Sequence, residues 1–340
     1  VLGRRDVGQR VVVRRIIGDA ADRPRYTDAL GELVELTETH LTLVTRDGPL
    51  RVPLAEVHRA KRVPPARRPG AAAVVELERA ADEAWPAPVR GRLGDWLLRA
   101  AEGWTGRANS ALPVGDPDRP LPEAIDAIRR WYAEQGQPAL VNVPLPLATP
   151  VGVALDDQGW GRRPPVLVQT APLATILAAT PERPDLPAVE LATTPSAGWL
   201  ALVAKRKGRQ ASERGEEADG SALPAAAYHV LTAVDQVRFA HVYAEPAPPD
   251  GGRELLAIAR GTVTGQGRWL GLTLLEVVPA ARRRGLARHV VRALALWAAQ
   301  QGATDAFLQV EEHNEAAVTL YRRLGFTTHH TYQTRTEPSD

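Results

Sequence analysis

The chain contains no cysteine and no methionine in 340 residues. Without thiols it can form no disulfide, no thiolate metal site and no cysteine nucleophile. Lysine is nearly absent as well: Lys61, Lys205 and Lys207 are its only members, so arginine carries the positive charge. No apolar run approaches the roughly 18 residues of a membrane span, so a membrane is not an expected partner. The opening stretch VLGRRDVGQRVVVRR has no apolar segment ahead of a cleavage site, so no secretory signal is expected and the cytoplasm is the expected compartment. Neither sign of charge dominates, because 42 basic residues face 40 acidic ones. A nucleic-acid binder concentrates basic charge in a patch; only short arginine clusters occur here, so nucleic acid is not expected either. The paired histidines His329 and His330 lack metal-ligand spacing, and no metal is expected. What remains is an ordinary globular composition, on a chain long enough for two or three domains.

Residues 1–66 read as all-β. Val11–Val13 follow Gly8, Glu32–Leu36 sets leucine and valine between polar positions, and Leu41–Thr45 runs into Asp47-Gly48, a dipeptide that favours tight hairpins. Leu50–Leu54 is the return strand. Such closely spaced short strands fit a small SH3-like barrel, for which a packing or scaffolding role is expected. Val63–Gly70 reads as a linker. Residues 67–189 are mixed: helices are expected over Val74–Trp85, Leu93–Glu102 and Pro122–Gln135, and strands over 139–146 and 165–177. Ile125, Ile128, Trp131 and Tyr132 share one face of the third helix, which Gly136 ends. Residues 190–336 open with an expected strand over 198–206 and a polar stretch over 207–224 that is expected to be mobile. Strands over 237–245, 253–263 and 269–278 follow, the first two joined by a Pro/Gly turn at 246–252.

The chemistry concentrates after the last of these strands. Val277–Ala303 passes from strand to turn to helix, with Leu286, Val290, Ala293, Leu294 and Trp297 on one helical face and Gly302 at its end. The turn reads Arg282-x-x-Gly285-x-Ala287. Gly285 and Ala287 keep bulk away, so several backbone N–H groups can converge on an anion at the helix start, where the dipole also favours negative charge. Arg282, Arg283 and Arg284 add positive charge. Alone, the turn fits an anion site or a plain strand-to-helix connection with solvated arginines. A strand over Ala306–Val310 comes next, then a helix with Asn314 as N-cap, an apolar face of Ala317, Leu320, Tyr321 and Leu324, and Gly325-Phe326 at its end.

These two segments, in this order and after a β meander, resemble the paired signatures of the GNAT superfamily of N-acetyltransferases. The resemblance implies acetyl-CoA as co-substrate, with its pyrophosphate on the backbone of Gly285, Leu286 and Ala287 and with Arg282, Arg283 and Arg284 around the phosphates. It implies pantetheine along the backbone of Val277 and Val278, Asn314 and Tyr321 at the cofactor, and Tyr321 as the acid that protonates the departing thiolate. The acceptor would be a primary amine of a small molecule or a peptide, attacking the thioester directly. For the base, Glu276 stands out as a carboxylate within an apolar strand; Glu311, Glu312 and ordered water are alternatives.

The whole order resembles actinobacterial proteins that join an SH3-like domain to tandem GNAT halves. That implies an α+β fold class: a barrel over 1–66, a degenerate GNAT-like half over 67–189 and the GNAT acetyltransferase domain over 190–336. Leu155–Trp160 echoes Arg323–Phe326, yet the stretch VGDPDRPLPEA before the third helix places prolines where a phosphate turn needs donors. Arg107–Pro113, beside Trp104, reads as a loop that could line the cleft. A non-catalytic acyl-CoA sensor with the barrel recruiting a partner is the alternative function, and a homodimer is left open.

Overall fold

The computed structural model describes residues 2–3, 6–20, 23–45, 48–63, 69–213, 223–244 and 253–338. Residues 64–68 of the expected linker, Asp47 of the expected hairpin turn, 214–222 of the polar stretch and the whole of the expected turn at 246–252 lie outside them. The chain divides into two compact units, residues 1–68 and 69–340.

In the first unit, β1 (Arg10–Ala20), β2 (Arg23–Leu36), β3 (His40–Thr45), β4 (Gly48–Pro53) and β5 (Val57–Arg62) pair antiparallel in the order β4-β3-β2-β1-β5. Alternation along the strands gathers Val11, Val13, Leu33, Leu41, Leu43 and Val52 into one buried cluster. The expected SH3-like barrel is not shown by the strand pairing. A 3-10 turn at Leu54–Glu56 carries the chain to the far edge, where β5 pairs with β1. Among the described residues nothing pairs β4 with β5, so the sheet is open.

The second unit runs α1 (Ala71–Glu83), β6 (Val89–Leu93), β7 (Trp96–Ala100), α2 (Leu121–Glu134), β8 (Leu140–Leu145), α3 (Thr149–Asp157), β9 (Gly161–Arg162), β10 (Val166–Pro172) and α4 (Leu173–Ala179). It continues through β11 (Val189–Ala192), α5 (Ala197–Glu213), α6 (Ala225–Thr232), β12 (Val237–Tyr243), β13 (Leu255–Thr264), β14 (Trp269–Val277), α7 (Leu286–Gln300), β15 (Asp305–Glu311), α8 (Glu315–Arg323) and β16 (Thr327–Thr336). One nine-stranded sheet organises it, in the order β11-β12-β13-β14-β15-β10-β16-β8, with β9 on β16. Strand β10 therefore sits between β15 and β16, which follow it by more than 130 residues. The sheet is continuous across the expected junction at 189/190.

Two expected elements change type. Over Leu93–Glu102 the chain forms the β6–β7 hairpin, not a helix. Leu93 pairs with Trp96 across the two-residue turn Gly94-Asp95, and Gly94 has φ 57. Residues 198–206 lie in helix α5, not in a strand: Trp199 and Val203, one turn apart, are buried beneath it. The expected strand over 165–177 ends at Pro172, where α4 begins.

Both faces of the sheet are covered. On one, α4, α7 and α8 enclose Ala257, Ala259, Leu270, Leu272 and Leu308. On the other, α5 and α6 pack on Phe239 and Ile258, and α1 packs on Trp269, Phe307 and Val168. Arg260 is wholly buried on this second face. Its guanidinium donates to the carbonyls of Leu231 at 2.8 Å, Ala84 at 2.9 Å and Val230 at 3.3 Å. Those carbonyls belong to the C-terminal ends of α6 and α1, where helix dipoles favour a cation. Desolvation brings Arg260 down to about 9.

Candidate active site

The site begins where two parallel strands part. β14 and β15 are paired from Trp269–Asp305 to Leu272–Leu308 and no further. Immediately beyond, β14 bulges: Leu274 and Leu275 face the single residue Ala259 of β13, and Leu274 has φ 55. The bulge turns the rest of β14 away from β15 and opens a wedge in the middle of the sheet.

Backbone groups on the wedge side of β14 are identifiable from their partners. The Val278 N–H donates to the Leu256 carbonyl at 2.9 Å, and the Val278 carbonyl accepts from the Ala281 N–H at 2.9 Å. Val278 is thus engaged by the protein itself, contrary to its expected role as a pantetheine contact. Val277, one residue back, directs its backbone the other way, into the wedge. Its carbonyl accepts from Arg282 Nε at 3.1 Å, and the Leu275 carbonyl accepts from Arg206 Nη1 at 3.1 Å.

The turn after β14 has the conformation an anion site requires. Pro279–Ala281 forms a 3-10 turn, Arg283 has φ 66, and Gly285 caps α7 at φ 95. The ladder of α7 starts with His289 N–H bonded to the Gly285 carbonyl. The amides of Leu286, Ala287 and Arg288 therefore have no acceptor within the helix. The Leu286 side chain is buried in the core, so only its amide serves the turn. Arg283 and Arg284 are exposed. Arg282 folds back on β14, its Nη2 at 3.4 Å from Glu276 Oε1.

One residue at the turn carries no sequence signal. Arg183, in the loop after α4, brings Nη1 within 3.0 Å of where a Cβ on Gly285 would stand. It pairs with Asp185 at 2.6 and 2.5 Å. Along the same side, Arg292 Nη1 donates to the Thr180 carbonyl at 2.7 Å, so this loop is tied to α7. A second close approach explains Gly325, at φ 89: a Cβ there would lie 2.4 Å from Thr175 Cγ2 of α4.

Asn314 is the N-cap of α8, its Oδ1 accepting from the Ala317 N–H at 3.2 Å. Tyr321 lies on α8, half-buried, with its ring edge-on to Phe326 at 5.8 Å. Desolvation holds its phenol above the ordinary tyrosine value, and the charge of Arg206 pulls the other way. Arg206 also stands 3.7 Å from Glu276 Oε2. Helix α5 thus brings Arg206 to both Tyr321 and Glu276, an association invisible in a segment read as a strand. Glu276 itself is engaged by two guanidiniums, Arg206 and Arg282. Glu311 lies 3.5 Å from His313 Nε2 and Glu312 is exposed. His330 is buried and bonded through Nε2 to Glu78 Oε1 at 2.6 Å, rather than lying on the surface, and its Nδ1 is 2.8 Å from that of His329.

A split parallel pair, a glycine-capped helix start on the strand that leaves it, and a tyrosine on the next helix together define a GNAT-type acetyltransferase. Comparison with known proteins agrees. Residues 71–335 match the family model described as "Probable histone acetyltransferase Rv0428c C-terminal", and the chain belongs to that family. It is 30% identical over 335 residues to a probable histone acetyltransferase, Rv0428c, of Mycobacterium tuberculosis, covering 95% of this chain and 93% of that protein. It is 28% identical over 262 residues to the uncharacterized N-acetyltransferase YobR of Bacillus subtilis, covering 74% of this chain and 94% of that protein. Among solved structures, a GCN5-related N-acetyltransferase from Kribbella flavida superposes with a TM-score of 0.54 at 17% identity, over 81% of this chain and 98% of its own. A tandem GNAT protein from the clavulanic acid biosynthesis pathway superposes with a TM-score of 0.50 at 16% identity, over 78% and 89%. These two likenesses concern the fold.

Proposed function

We propose that the chain transfers the acetyl group of acetyl-CoA to a primary amine of a small molecule or peptide, by direct attack on the thioester in the β14–β15 wedge. The observation that carries this reading is the wedge itself, which opens onto the unpaired amides at the start of α7. The pyrophosphate lies against the amides of Leu286, Ala287 and Arg288, with Arg183, Arg283 and Arg284 around it, and pantetheine follows the backbone of Val277. Asn314 holds the start of α8, and so the placement of Tyr321.

Two of the chain's own side chains then have tasks. The amine must arrive neutral at the thioester carbonyl carbon. Tyr321, kept protonated by its desolvated setting, gives its proton to the thiolate as the carbon–sulfur bond breaks. Glu276 serves as the anchor of Arg206 and Arg282, since both guanidiniums engage its carboxylate. Residues 67–189 act as a GNAT-like half without a cofactor. Their antiparallel β6–β7 pair, the antiparallel bridge Leu97–Leu112 and the parallel bridge Ala111–Val141 around α2 support this, because β12, β13, β14, α7 and β15 repeat the same pattern. At the start of α2, Pro120 and Pro122 remove N–H groups that the start of α7 retains.

The test is thiol release from acetyl-CoA against amino acids, polyamines, aminoglycosides and basic peptides, with acetyl-CoA binding measured calorimetrically. Release with at least one class supports the reading. Tight binding without release from any amine would replace catalysis by acyl-CoA sensing, and absence of binding would end both.

A further inference from the structure

On the α1 face, polar side chains form a belt across the sheet at the level of the wedge. Register places Arg260 of β13 opposite Thr273 of β14, and Gln309 of β15 opposite Val168 of β10, which in turn faces His330 of β16. Residues paired across a ladder point to the same face, and Val168 packs on α1. Trp85 and Arg107 span this belt. The Trp85 ring has Arg260 on it at 5.3 Å and Arg107 at 5.2 Å, and Arg107 lies beside Tyr332 and Glu78.

Most charges in the belt are matched. Arg260 has its three carbonyls, Arg99 bonds the Ser110 carbonyl at 2.9 Å and reaches Asp82 at 3.3 Å, and Glu78 is bonded to His330. Arg107 is the exception. Its counter-groups are the Tyr332 hydroxyl, to which it is hydrogen-bonded, and the charge of Glu78, but among the described residues no carboxylate stands within ion-pair distance of it and its buried Nε has no hydrogen-bond partner. At the wedge, the buried Thr273 Oγ1 and Gln309 Oε1 also lack partners. Leaving such groups dry costs free energy that a ligand can recover. The loop carrying Arg107 is itself held in an uncommon shape, with Glu102 at φ 50 and Thr105 at φ 65.

We propose that this face is the acceptor pocket and that the acceptor is an amine bearing a carboxylate, an amino acid in the broad sense. The inference rests on the acetyl-transfer reading above and names its substrate class. The polarity decides the orientation. Arg107 offers donors in the planar fork that suits a carboxylate, while Thr273 Oγ1 and Gln309 Oε1 offer acceptors at the wedge, where an amine N–H can donate. A compound with anion and amine at opposite ends satisfies both. In the transfer, the amine nitrogen bonds to the thioester carbon, the carbon–sulfur bond breaks, the amine loses one proton and coenzyme A leaves as a thiol.

The test compares α-, β-, γ- and ω-amino acids with their primary amides and decarboxylated amines, using thiol release from the full-length protein. The expected result is release with at least one amino acid series and a kcat/KM on the order of 100-fold below it for the matching amide, as the loss of a charge-assisted contact implies. Arg107→Gln should raise KM for that amino acid by a similar factor and so narrow the gap between acid and amide, and Arg107→Lys should recover part of the loss. A circular dichroism melt like that of the unsubstituted protein would show that the variants fold; should Arg107→Gln fail to fold, the amino acid–amide comparison on the unsubstituted protein decides. Equal rates for acid and amide, or release only with amines that lack a carboxylate, or with no amine at all, would overturn the inference. Because acetyl-CoA binding is measured separately, its absence would instead identify a failure of the acetyl-transfer reading, on which this one depends.

Discussion

Replacing Gly285 by alanine separates conformation from bulk at the turn that starts α7. Gly285 adopts φ 95, a region that costs an alanine about 1–2 kcal/mol. The new methyl would meet Arg183 Nη1 at 3.0 Å, the far end of a flexible side chain, so sterics alone are cheaply relieved. The turn can escape strain only by rotating, and rotation would redirect the amides of Leu286 and Ala287. Losing one or two hydrogen bonds to a charged group, at about 1.5–3 kcal/mol each, implies an acetyl-CoA Kd weaker by roughly 10- to 100-fold or more. Titration calorimetry of Gly285→Ala, and of Gly285→Ala combined with Arg183→Ala, reads the effect. If Arg183 were the obstacle, the double variant would bind as well as Arg183→Ala alone; a conformational cause predicts that Gly285→Ala weakens binding equally in both backgrounds. A Kd within twofold of the unsubstituted protein would refute the assignment of these amides to the pyrophosphate.

Tyr321→Phe should lower kcat by about 100-fold or more while the acetyl-CoA Kd stays within twofold, since only proton delivery is lost; unchanged turnover in steady-state assays would remove Tyr321 as the acid. Asn314→Ala should cost about 1 kcal/mol through the lost cap, measurable by denaturant unfolding. Arg260→Met should destabilise by about 3 kcal/mol or more, because three buried carbonyls lose their donor; a melt shifted by less than a degree would contradict that. His329 is held down to about 4, foremost by burial and then by His330. The unfolded chain, with an ordinary histidine near 6.5, then binds the extra proton first. The contribution of His329 is fully present above that value and is lost as pH falls from about 6.5 to about 4. Melts between pH 4 and 7 should lose part of that slope in His329→Gln.

The parts of the site legible in the sequence are those built by local spacing. Gly285 before an apolar 3.6-residue period marked the start of α7, and Asn314 three residues before Ala317 marked that of α8, because caps and amphipathic faces are short-range phenomena. Local pattern misled where two periods compete. Residues 198–206 contain β-compatible apolar residues, yet Trp199 and Val203 lie one helical turn apart and the sheet face needed a cover. Conversely, the apolar and aromatic residues after Leu93 suggested a helix until Gly94-Asp95 is read as a two-residue turn. Arg183 and Arg206 had no local signature at all. Each reaches the site only because distant segments are packed together, and an arginine in a window of sequence says nothing about which backbone it will face.

That dependence on distant segments follows from the place of β10. The outer edge of β15, the strand from which β14 parts, is not free but paired with another strand. The strand that holds it along its whole length, Val166 to Pro172, comes from the region without phosphate-turn signals. From its end α4 continues directly, placing Thr175 against Gly325, and the following loop brings Arg183 to Gly285. Earlier in the same region α1 covers Phe307 on the opposite face, at the paired end of the wedge. The start of α7 and Tyr321 thus come from the C-terminal segment, while β10, α4 and the loop after it, all from the preceding region, hold the outer edge of β15 and approach Gly325 and Gly285.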